Sequence, residues 1–351
     1  MNSRPDQIVR QTAGVIDRSA RGRIVVCGAD RKTFLHALLT NDIAGLAPGS
    51  GCYAALLTPQ GRMVADMHVF EMGDVVLIDC VREVKDTLLQ KFDAFVFSED
   101  VQLGDLTDAW GCVGVYGPEA ARVASRALEA GKNSAPAGSA DGIADGIAGG
   151  IAGAIAALDP YGNVRLDALG DVVVVARVDG LGLPGYLLFA SMGLMAQIGN
   201  AALAAGAALV EPETAELLRI EAGEPAFLVD MTTETIPPEA GIESSAVSFT
   251  KGCFPGQEVI VRIRDRGHGR VAQRLVAMGV SGTTVPSAGD RVWYDAKEVG
   301  HVTSAVQSPS RGGPLALGYV RRDVAEDGRT ITIICGEAHL DATVFTLPFA
   351  K

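Results

Sequence analysis

The chain has 351 residues, of which 48% are apolar and 21% are charged, a composition typical of a globular protein with a full core. This length predicts two or three domains. The formal net charge of −12 argues against broad, nonspecific attraction to nucleic acid or to an anionic membrane, although a local basic patch can act within this acidic field. Neither a signal peptide nor a run of about 18 apolar residues is visible, so we expect no membrane span.

The first part of the chain alternates strand and helix signals. Residues 22–46 predict a strand, a turn and an amphipathic helix with its apolar residues on one face. Two or three antiparallel strands are expected in 51–80, and another amphipathic helix in 82–97. The segment 110–130 predicts strand, turn and helix, with Pro118 suited to the first helical turn.

Residues 131–157 differ in kind, because they repeat Gly-Ile-Ala with little polarity. We expect them to form a surface loop, mobile or loosely helical, and assign them no function. Strands resume in 171–189 around a glycine-rich bend, and helices are expected in 192–210 and from Pro212 onward. From about residue 271, short strands separated by turns predict a small all-β barrel or sandwich. These elements together predict an α+β fold that ends in a β module.

The six cysteines are scattered without a CxxC pair. This spacing favours neither a zinc site nor a disulfide framework, and it fits a reducing cytoplasm. Five of them lie beside apolar, strand-like residues, where a cysteine is usually a small buried hydrophobic side chain. These five are Cys27, Cys52, Cys80, Cys112 and Cys335.

The sixth cysteine lies in a loop, in the stretch "KGCFPGQEVIVRIRDRGHGR". Cys253 follows Gly252 and precedes a Phe-Pro-Gly bend, and the bend's backbone N–H groups, with Lys251 nearby, would favour a thiolate. The next residues read equally as a strand or as a helix opened at Gly256. A tight linker whose cysteine only packs explains the pattern as well as a reactive thiol does. The stretch then carries a basic cluster made of Arg262, Arg264, Arg266, His268 and Arg270.

Two further polar residues are candidates for a binding site. Asp66 interrupts the apolar strand of "TPQGRMVADMHVF", where its carboxylate either caps local backbone or faces a pocket. Arg219 lies near a helix end in "LLRIEAGEP" and can hold a carboxylate or a ring, although a surface ion pair is the commoner arrangement.

These pieces together resemble the folate-binding T-protein of the glycine cleavage system and its relatives. The blocks that carry the resemblance occur in the family's order and span nearly the whole chain outside 131–157. They are "LTNDIAGLAPGSGCYAALLTPQGRMVADMHVF", "LLRIEAGEP" with "IPPEAGIE", "SFTKGCFPGQEVIVRI", and "VGHVTSAVQSPSRGGPLALGYVRRD".

The resemblance implies an α+β ring of three modules with a small C-terminal β-barrel. Residues 1–245 would form the aminomethyltransferase-like folate-binding region of two interleaved α+β modules. Residues 246–270 would form the cysteine loop and linker, and residues 271–351 the barrel.

One block is similar to a particular branch of this superfamily. T-proteins carry an acidic residue or Asp-Phe where this chain has "KGCFPGQE", and the cysteine form resembles the YgfZ branch. That branch is implicated in the maintenance of iron–sulfur enzymes and, through it, in tRNA modification. The resemblance implies catalytic roles for Cys253 and Lys251. It also adds four residues to the cofactor-binding set, namely Gly252, Gly256, Gln257 and Glu258.

The resemblance implies tetrahydrofolate as the cofactor. Asp66 matches the aspartate that T-proteins use near the reactive folate nitrogen, and Arg219 matches a folate-contacting arginine. In "DGLGLPGYLL", however, Leu183 and Pro184 stand where T-proteins carry acids in a Gly-Glu-Asp-Gly loop. We therefore expect weaker folate binding or a different pose.

Three functions follow, in order of preference. The first is a folate-binding accessory factor for assembly or repair of iron–sulfur enzymes, with Cys253 as its thiol. Because one cysteine cannot supply the four ligands of a [4Fe–4S] cluster, no resident metal is expected in a monomer. The second is a tetrahydrofolate-dependent aminomethyltransferase with Asp66 as the polarising acid. The third, an RNA-binding module using residues 262–270, is disfavoured by the acidic charge and the lack of interleaved aromatic residues.

Overall fold

The structure is a computed structural model that describes residues 4–130, 149–267 and 269–347. Its contacts divide the chain into two compact units. The first unit comprises Met1–Ala54 and Ala65–Glu211, and the second comprises Ala55–Val64 and Pro212–Lys351. The three-part division expected from the sequence, with boundaries after residues 245 and 270, stays a prediction.

The first unit contains six of the helices, which are α1 (Pro5–Gln11), α2 (Arg31–Leu38), α3 (Arg82–Asp93), α4 (Ala120–Glu129), α5 (Gly150–Ala156) and α6 (Met195–Ala204). Its strands begin with β1 (Gly14–Asp17), β2 (Gly22–Cys27), β3 (Gly51–Leu57), β4 (Met63–Glu71), β5 (Val76–Cys80) and β6 (Gln102–Asp105). They continue with β7 (Trp110–Tyr116), β8 (Asn163–Ala168), β9 (Asp171–Arg177), β10 (Gly185–Ser191) and β11 (Ala208–Leu209). The tips of β3 and β4, with the turn between them, belong to the second unit.

Two sheets organise the first unit. One has the strand order β11-β1-β7-β10-β9-β8, and the other has the order β3-β4-β5-β2-β6. The chain leaves the first sheet after β1, builds the whole second sheet, and returns to the first as β7, which pairs antiparallel with β1 and β10. The two sheets are therefore interleaved along the sequence.

Helices α4, α5 and α6 pack on a common apolar core with the strands of the six-stranded sheet. In α5, Ile151, Ala154 and Ile155 are buried, at the spacing that puts three residues on one helical face. Of the expectation for 131–157, the helical alternative holds at Gly150–Ala156, whereas a surface position is wrong there, because the helical spacing of the apolar residues gives a core-facing stripe. The rest of the repeat, 131–148, lies outside the described residues.

The second unit contains short helices and a barrel. Its helices are α7 (Pro212–Ala222), α8 (Pro237–Ala240), α9 (Glu243–Ala246) and α10 (Gln257–Asp265). Its strands are β12 (Gln273–Val280), β13 (Arg291–Tyr294), β14 (Lys297–Ser308), β15 (Gly313–Arg321), β16 (Thr330–Cys335) and β17 (Ala338–Thr346).

The six strands form a closed barrel in the order β12-β15-β14-β13-β16-β17, and β17 pairs with β12 to close it. Alternate residues such as Val276 and Met278 of β12 are buried together with Val344 of β17, as the two-residue period of a strand requires. The predicted α+β class with a C-terminal β-barrel is thus confirmed, and the barrel is chosen over the sandwich. In the described ranges, no helix has the length and apolar character needed to cross a membrane.

Candidate functional site

Asp66 lies in the middle of β4, on a strand whose other residues are mostly buried. Asp66 and His68 are the partly exposed residues of this strand, and because they are two positions apart they share one face. The carboxylate does not cap local backbone. Instead, the Tyr53 hydroxyl of β3 donates a hydrogen bond of 2.7 Å to Asp66 Oδ2.

This hydrogen bond has a fixed direction. Burial of Tyr53, and secondly the negative charge of Asp66, raise the pKa of Tyr53 well above its ordinary value. The phenol therefore stays protonated at neutral pH and acts as the donor. Because each carboxylate oxygen can accept more than one hydrogen bond, Asp66 can also accept one from an N–H group of a ligand.

Aromatic rings surround His68 beside this carboxylate. The His68 ring lies 5.7 Å from the ring of Tyr53, 5.9 Å from that of Tyr161 and 6.2 Å from that of Phe70, measured between centroids. Tyr161 has φ of 62°, a left-handed conformation that costs a non-glycine residue about 1–2 kcal/mol. Such strain concentrates at functional sites, so Tyr161 joins the candidate site. In the aromatic cluster (Tyr53, His68, Phe70 and Tyr161), Phe70 is fully buried, and the other three rings are partly exposed next to an acid.

A buried ion pair supports this cluster. Arg21 Nε donates a hydrogen bond of 2.7 Å to Asp79 Oδ2, and the Asp79 side chain is 1% exposed. His68 Nδ1 lies 3.6 Å from the same oxygen, beyond hydrogen-bond length. Burial alone would raise the pKa of Asp79, but Arg21 and then His68 hold it well below its ordinary value, so the carboxylate stays ionised.

Arg219, in the second unit, is the centre of a buried polar hub. Its guanidinium donates to Glu216 (2.8 Å from Nε, 2.5 Å from Nη2) and, through Nη1, to Asp230 Oδ2 and the Glu224 carbonyl, both at 2.6 Å. These bonds use four of the five N–H donors of an arginine. The surface ion pair expected as the commoner case is wrong here, since Arg219 is 9% exposed.

The acid that completes this hub comes from a loop. Asp230 is buried, and its Oδ1 accepts hydrogen bonds from the hydroxyls of Thr303 (2.5 Å) and Ser304 (2.7 Å). Its Oδ2 accepts a further bond from the Ala226 N–H at 3.0 Å. The two acids outweigh burial and raise the pKa of Arg219, which keeps the pair ionised.

Cys253 is exposed, on a loop that is anchored on its C-terminal side. The next residue, Phe254, is buried, and its carbonyl accepts the N–H of Gln257 at 3.2 Å. Gly256 has φ of +82°, and a β-carbon there would lie 2.5 Å from the carbonyl oxygen of Thr58. Only glycine satisfies both the conformation and the close approach. The chain therefore holds the thiol in a loop between a glycine and a buried ring.

The ambiguity after Gly256 is resolved in favour of a helix. Gly256 is the N-cap of α10, Gln257 is its first residue, and exposed Glu258 lies in the first turn, where a negative charge is favourable. Lys251 has the ring of Phe254 as one partner, with Nζ 5.1 Å from its centroid. Gly252 is exposed, with open space where a side chain would begin.

The basic cluster is partly engaged. Arg264 lies 4.1 Å above the ring of Phe249 and makes a 2.6 Å ion pair with Asp265. The other three arginines, Arg262, Arg266 and Arg270, are exposed. His268 lies outside the described residues.

The other five cysteines differ in burial. Cys80 and Cys112 are buried as expected, and burial raises the pKa of each thiol to about 12. Cys27, Cys52 and Cys335 are only partly buried, which corrects the expectation for these three. Within residues 4–130, 149–267 and 269–347, no group of three or more His, Cys, Asp or Glu side chains is placed to hold a metal ion.

The structure thus joins Asp66 to three residues that the sequence argument missed, namely Tyr53, His68 and Tyr161. A signal existed for His68, because strand alternation places it on the face of Asp66. None existed for the two tyrosines, whose positions depend on the fold. Asp66 lies in the first unit, whereas Arg219 and the cysteine loop lie in the second.

Two protein-family domains match this chain. The GCVT N-terminal domain matches residues 4–141, and the Glycine cleavage T-protein C-terminal barrel domain matches residues 273–351. The chain belongs to the T-protein superfamily that these domains define.

Individual relatives of this chain are named aminomethyltransferases. An aminomethyltransferase of Bacillus subtilis is 26% identical over 98% of this chain and 90% of its own length. An aminomethyltransferase of Cutibacterium acnes is 29% identical over 98% of this chain and 88% of its own length. The crystal structure of the glycine cleavage system aminomethyltransferase T from Bartonella henselae has a TM-score of 0.82 and 20% identity, and covers 99% of this chain and 88% of that one. This last likeness shows a shared fold.

Proposed function

We propose that this chain is a folate-binding accessory protein of the YgfZ branch, which serves the assembly or repair of iron–sulfur enzymes, including those that modify tRNA. The observation that carries the proposal is the exposure of Cys253 on a loop anchored by Phe254 and Gly256. A thiol that reacts with a client must reach solvent, whereas a structural cysteine is normally packed.

The iron–sulfur cluster is the cargo of this function. A [4Fe–4S] cluster takes four ligands, and Cys253 supplies one. The client enzyme would supply the others, so contact is transient and the thiol acts on a cluster, or on a sulfur species, that belongs to the client. The client protein is the direct partner in this proposal. Direct tRNA binding is not part of it, because the chain has a formal net charge of −12 and the basic cluster lacks interleaved aromatic residues.

The cofactor proposed is tetrahydrofolate, a carrier of one-carbon units. A flat pterin needs stacking surfaces and an acid near its ring nitrogens. The aromatic cluster offers the surfaces, and Asp66, oriented by Tyr53, offers the acid. The residues present therefore fit the pterin end of the molecule.

The sequence assigns Arg219 to a carboxylate of folate, and the guanidinium is already bound by two acids of the second unit. Of its two acidic partners, Asp230 is fully buried, whereas the Glu216 side chain is 41% exposed. A folate carboxylate would therefore compete with Glu216.

The turn from Gly180 to Leu183 is closed by backbone hydrogen bonds of 2.9 and 3.0 Å. It supports the expectation of weaker folate binding, because Leu183 stands where T-proteins carry acids.

The thiol is tested in cells that lack the chromosomal copy of this chain. We expect Cys253→Ser to lower both the activity of a [4Fe–4S] enzyme and the level of the tRNA modification that depends on one, to the values of the empty vector. Cys335→Ser is the matched control, because Cys335 is also partly accessible and lies outside the proposed site. Normal activity with Cys253→Ser would remove the thiol from the proposal.

The cofactor is tested by calorimetric titration with tetrahydrofolate. We expect Asp66→Asn to weaken binding by about ten- to a hundredfold, since a hydrogen bond to a charged group contributes about 1.5–3 kcal/mol. Glu216→Gln should instead strengthen binding of a polyglutamylated folate by a few fold, because it frees Arg219. Absence of heat with wild-type protein would leave only the thiol role.

A second candidate function is that of an aminomethyltransferase, which the designation of the named relatives favours. Asp66 would then be the acid near the folate nitrogen. Purified chain, an aminomethylated lipoyl carrier and tetrahydrofolate would release ammonia if this function is correct. Turnover that is lost in Asp66→Asn and kept in Cys253→Ser would place this candidate ahead of the accessory role.

A further inference from the structure

The second unit contains an open cavity of about 400 Å³ that shares Asp230 and Thr303 with the hub around Arg219. Its walls come from the loop 229–235, from a turn at residues 288 and 289, and from strands β12, β14 and β15. This volume falls within the range of small-molecule sites, about 300–1,000 Å³.

The most informative lining residue is Tyr319 of β15. The residue is 3% exposed, and its hydroxyl is buried with no hydrogen-bond partner of good geometry among the described residues. Burial raises the pKa of Tyr319, and the neighbouring Thr235 side chain lowers it only in part, so the phenol is neutral. A buried hydroxyl without a partner destabilises the folded chain, and a ligand that bonds to it would recover that free energy.

A second lining residue provides a flat surface. The His301 ring stacks on the Tyr319 ring, with centroids 5.9 Å apart and planes at 29°. His301 is partly exposed, and burial and then the charge of Arg291 lower its pKa. The imidazole is therefore neutral at pH 7.

The charges around this cavity argue against an anion. Among the residues that the structure describes, neither a lysine nor an arginine lines it. The carboxylate of Asp230 is already bound by Arg219, and exposed Glu234 pairs with Arg62. A ligand would therefore meet hydroxyls, the Gln273 amide and a neutral imidazole.

The geometry points to a binding site for a neutral, planar heterocycle that stacks on His301 and hydrogen-bonds to the Tyr319 hydroxyl. This inference does not rest on the folate proposal, because every residue that carries it lies in the second unit, away in sequence from Asp66. Its ligand class includes nucleobases and carboxamide heterocycles.

The test is ligand-detected NMR on the full chain with uracil and nicotinamide as probes and benzoate as an anion of similar size. At least one neutral probe should bind with a dissociation constant of about 1 mM, which corresponds to about 4 kcal/mol. Benzoate should bind at least tenfold more weakly. Binding by neither neutral probe, or equal binding by benzoate, would overturn the assignment.

The variants separate this site from general surface binding. Tyr319→Phe should weaken binding about fivefold, as the loss of one hydrogen bond predicts, and His301→Ala should weaken it by removing the stacking surface. Tyr294→Phe is the matched control, because that hydroxyl bonds to Arg329 and lies outside the lining residues. Thermal melting checks folding, and Tyr319→Phe should melt no lower than wild type, since it removes an unpaired hydroxyl. Equal affinities for Tyr319→Phe and Tyr294→Phe would also overturn the assignment.

Discussion

Replacing Asp230 by alanine should strongly destabilise the second unit, because it would leave the Arg219 guanidinium buried beside a cavity. Asp230 receives four donors, from Arg219, Ala226, Thr303 and Ser304. Hydrogen bonds to a charged group contribute about 1.5–3 kcal/mol each when removed singly. Solvent and the half-exposed Glu216 would re-satisfy part of this set, so we expect a loss of about 3–5 kcal/mol, the range for breaking a buried ion pair.

The assay is urea unfolding followed by tryptophan fluorescence. The chain has two tryptophans, Trp110 in the first unit and Trp293 in the second. In a Trp110→Phe background, Trp293 reports the second unit alone, which avoids mixing two transitions. Asp323→Ala is the matched control, because Asp323 forms an exposed ion pair with Arg321 and should not change the midpoint measurably.

A double variant sharpens the result. Arg219→Met combined with Asp230→Ala should recover part of the loss, because it removes the stranded charge along with its partner. A loss below about 1 kcal/mol for Asp230→Ala alone would refute the reasoning. So would a double variant whose loss of unfolding free energy exceeds the sum of the losses of the two single variants.

Three further changes test other parts of the structure. Gly256→Ala should lower the free energy of unfolding by about 2–4 kcal/mol, because its φ is positive and the added β-carbon would overlap backbone atoms. Gly252→Ala, where the added β-carbon meets open space, should stay within about 0.5 kcal/mol of wild type. Equal values for the two variants would contradict the described loop. In titration of the native chain with a thiol reagent, Cys253 should react first, the partly buried Cys27, Cys52 and Cys335 more slowly, and the buried thiols of β5 and β7 only after unfolding. Cys253→Ser should remove the fastest phase, and an unchanged fastest phase would contradict the exposure of Cys253. Ile155→Ala should lose about 2–5 kcal/mol, and Ala152→Ser, on the exposed face of α5, little; equal effects would mean that this helix does not pack on the core.

Local signals were enough to predict the elements of the fold. The alternation in β12 and its successors predicted a β module because each strand buries every second residue, and Gly256 was recognised as a possible helix start. The repeat in 131–157 favours a surface segment by composition, because its residues are small, although Ile151 and Ile155 have the spacing of one helical face.

The candidate site depends on contacts between residues far apart in sequence, and single-sequence reasoning reaches these least well. In the sequence, Glu216 lies one helical turn before Arg219, a spacing typical of surface ion pairs. The fully buried partner of Arg219, Asp230, comes from a loop and has no such local signal. The same holds for Tyr161, which meets His68 only because the two sheets are interleaved. Cys253 stood out for a local reason, since its glycine-flanked bend lacks the apolar run of a packed strand.

The turn between β3 and β4 has a consequence for how the protein acquires its structure. Residues 55–64 belong to the compact unit that otherwise begins at Pro212, and they provide the surface against which Gly256 fits. The cysteine loop therefore cannot reach its final conformation in a fragment that starts at Pro212. During synthesis, residues 55–64 are made long before the cysteine loop that packs against them. The loop can therefore become ordered only late, through contacts between residues far apart in sequence.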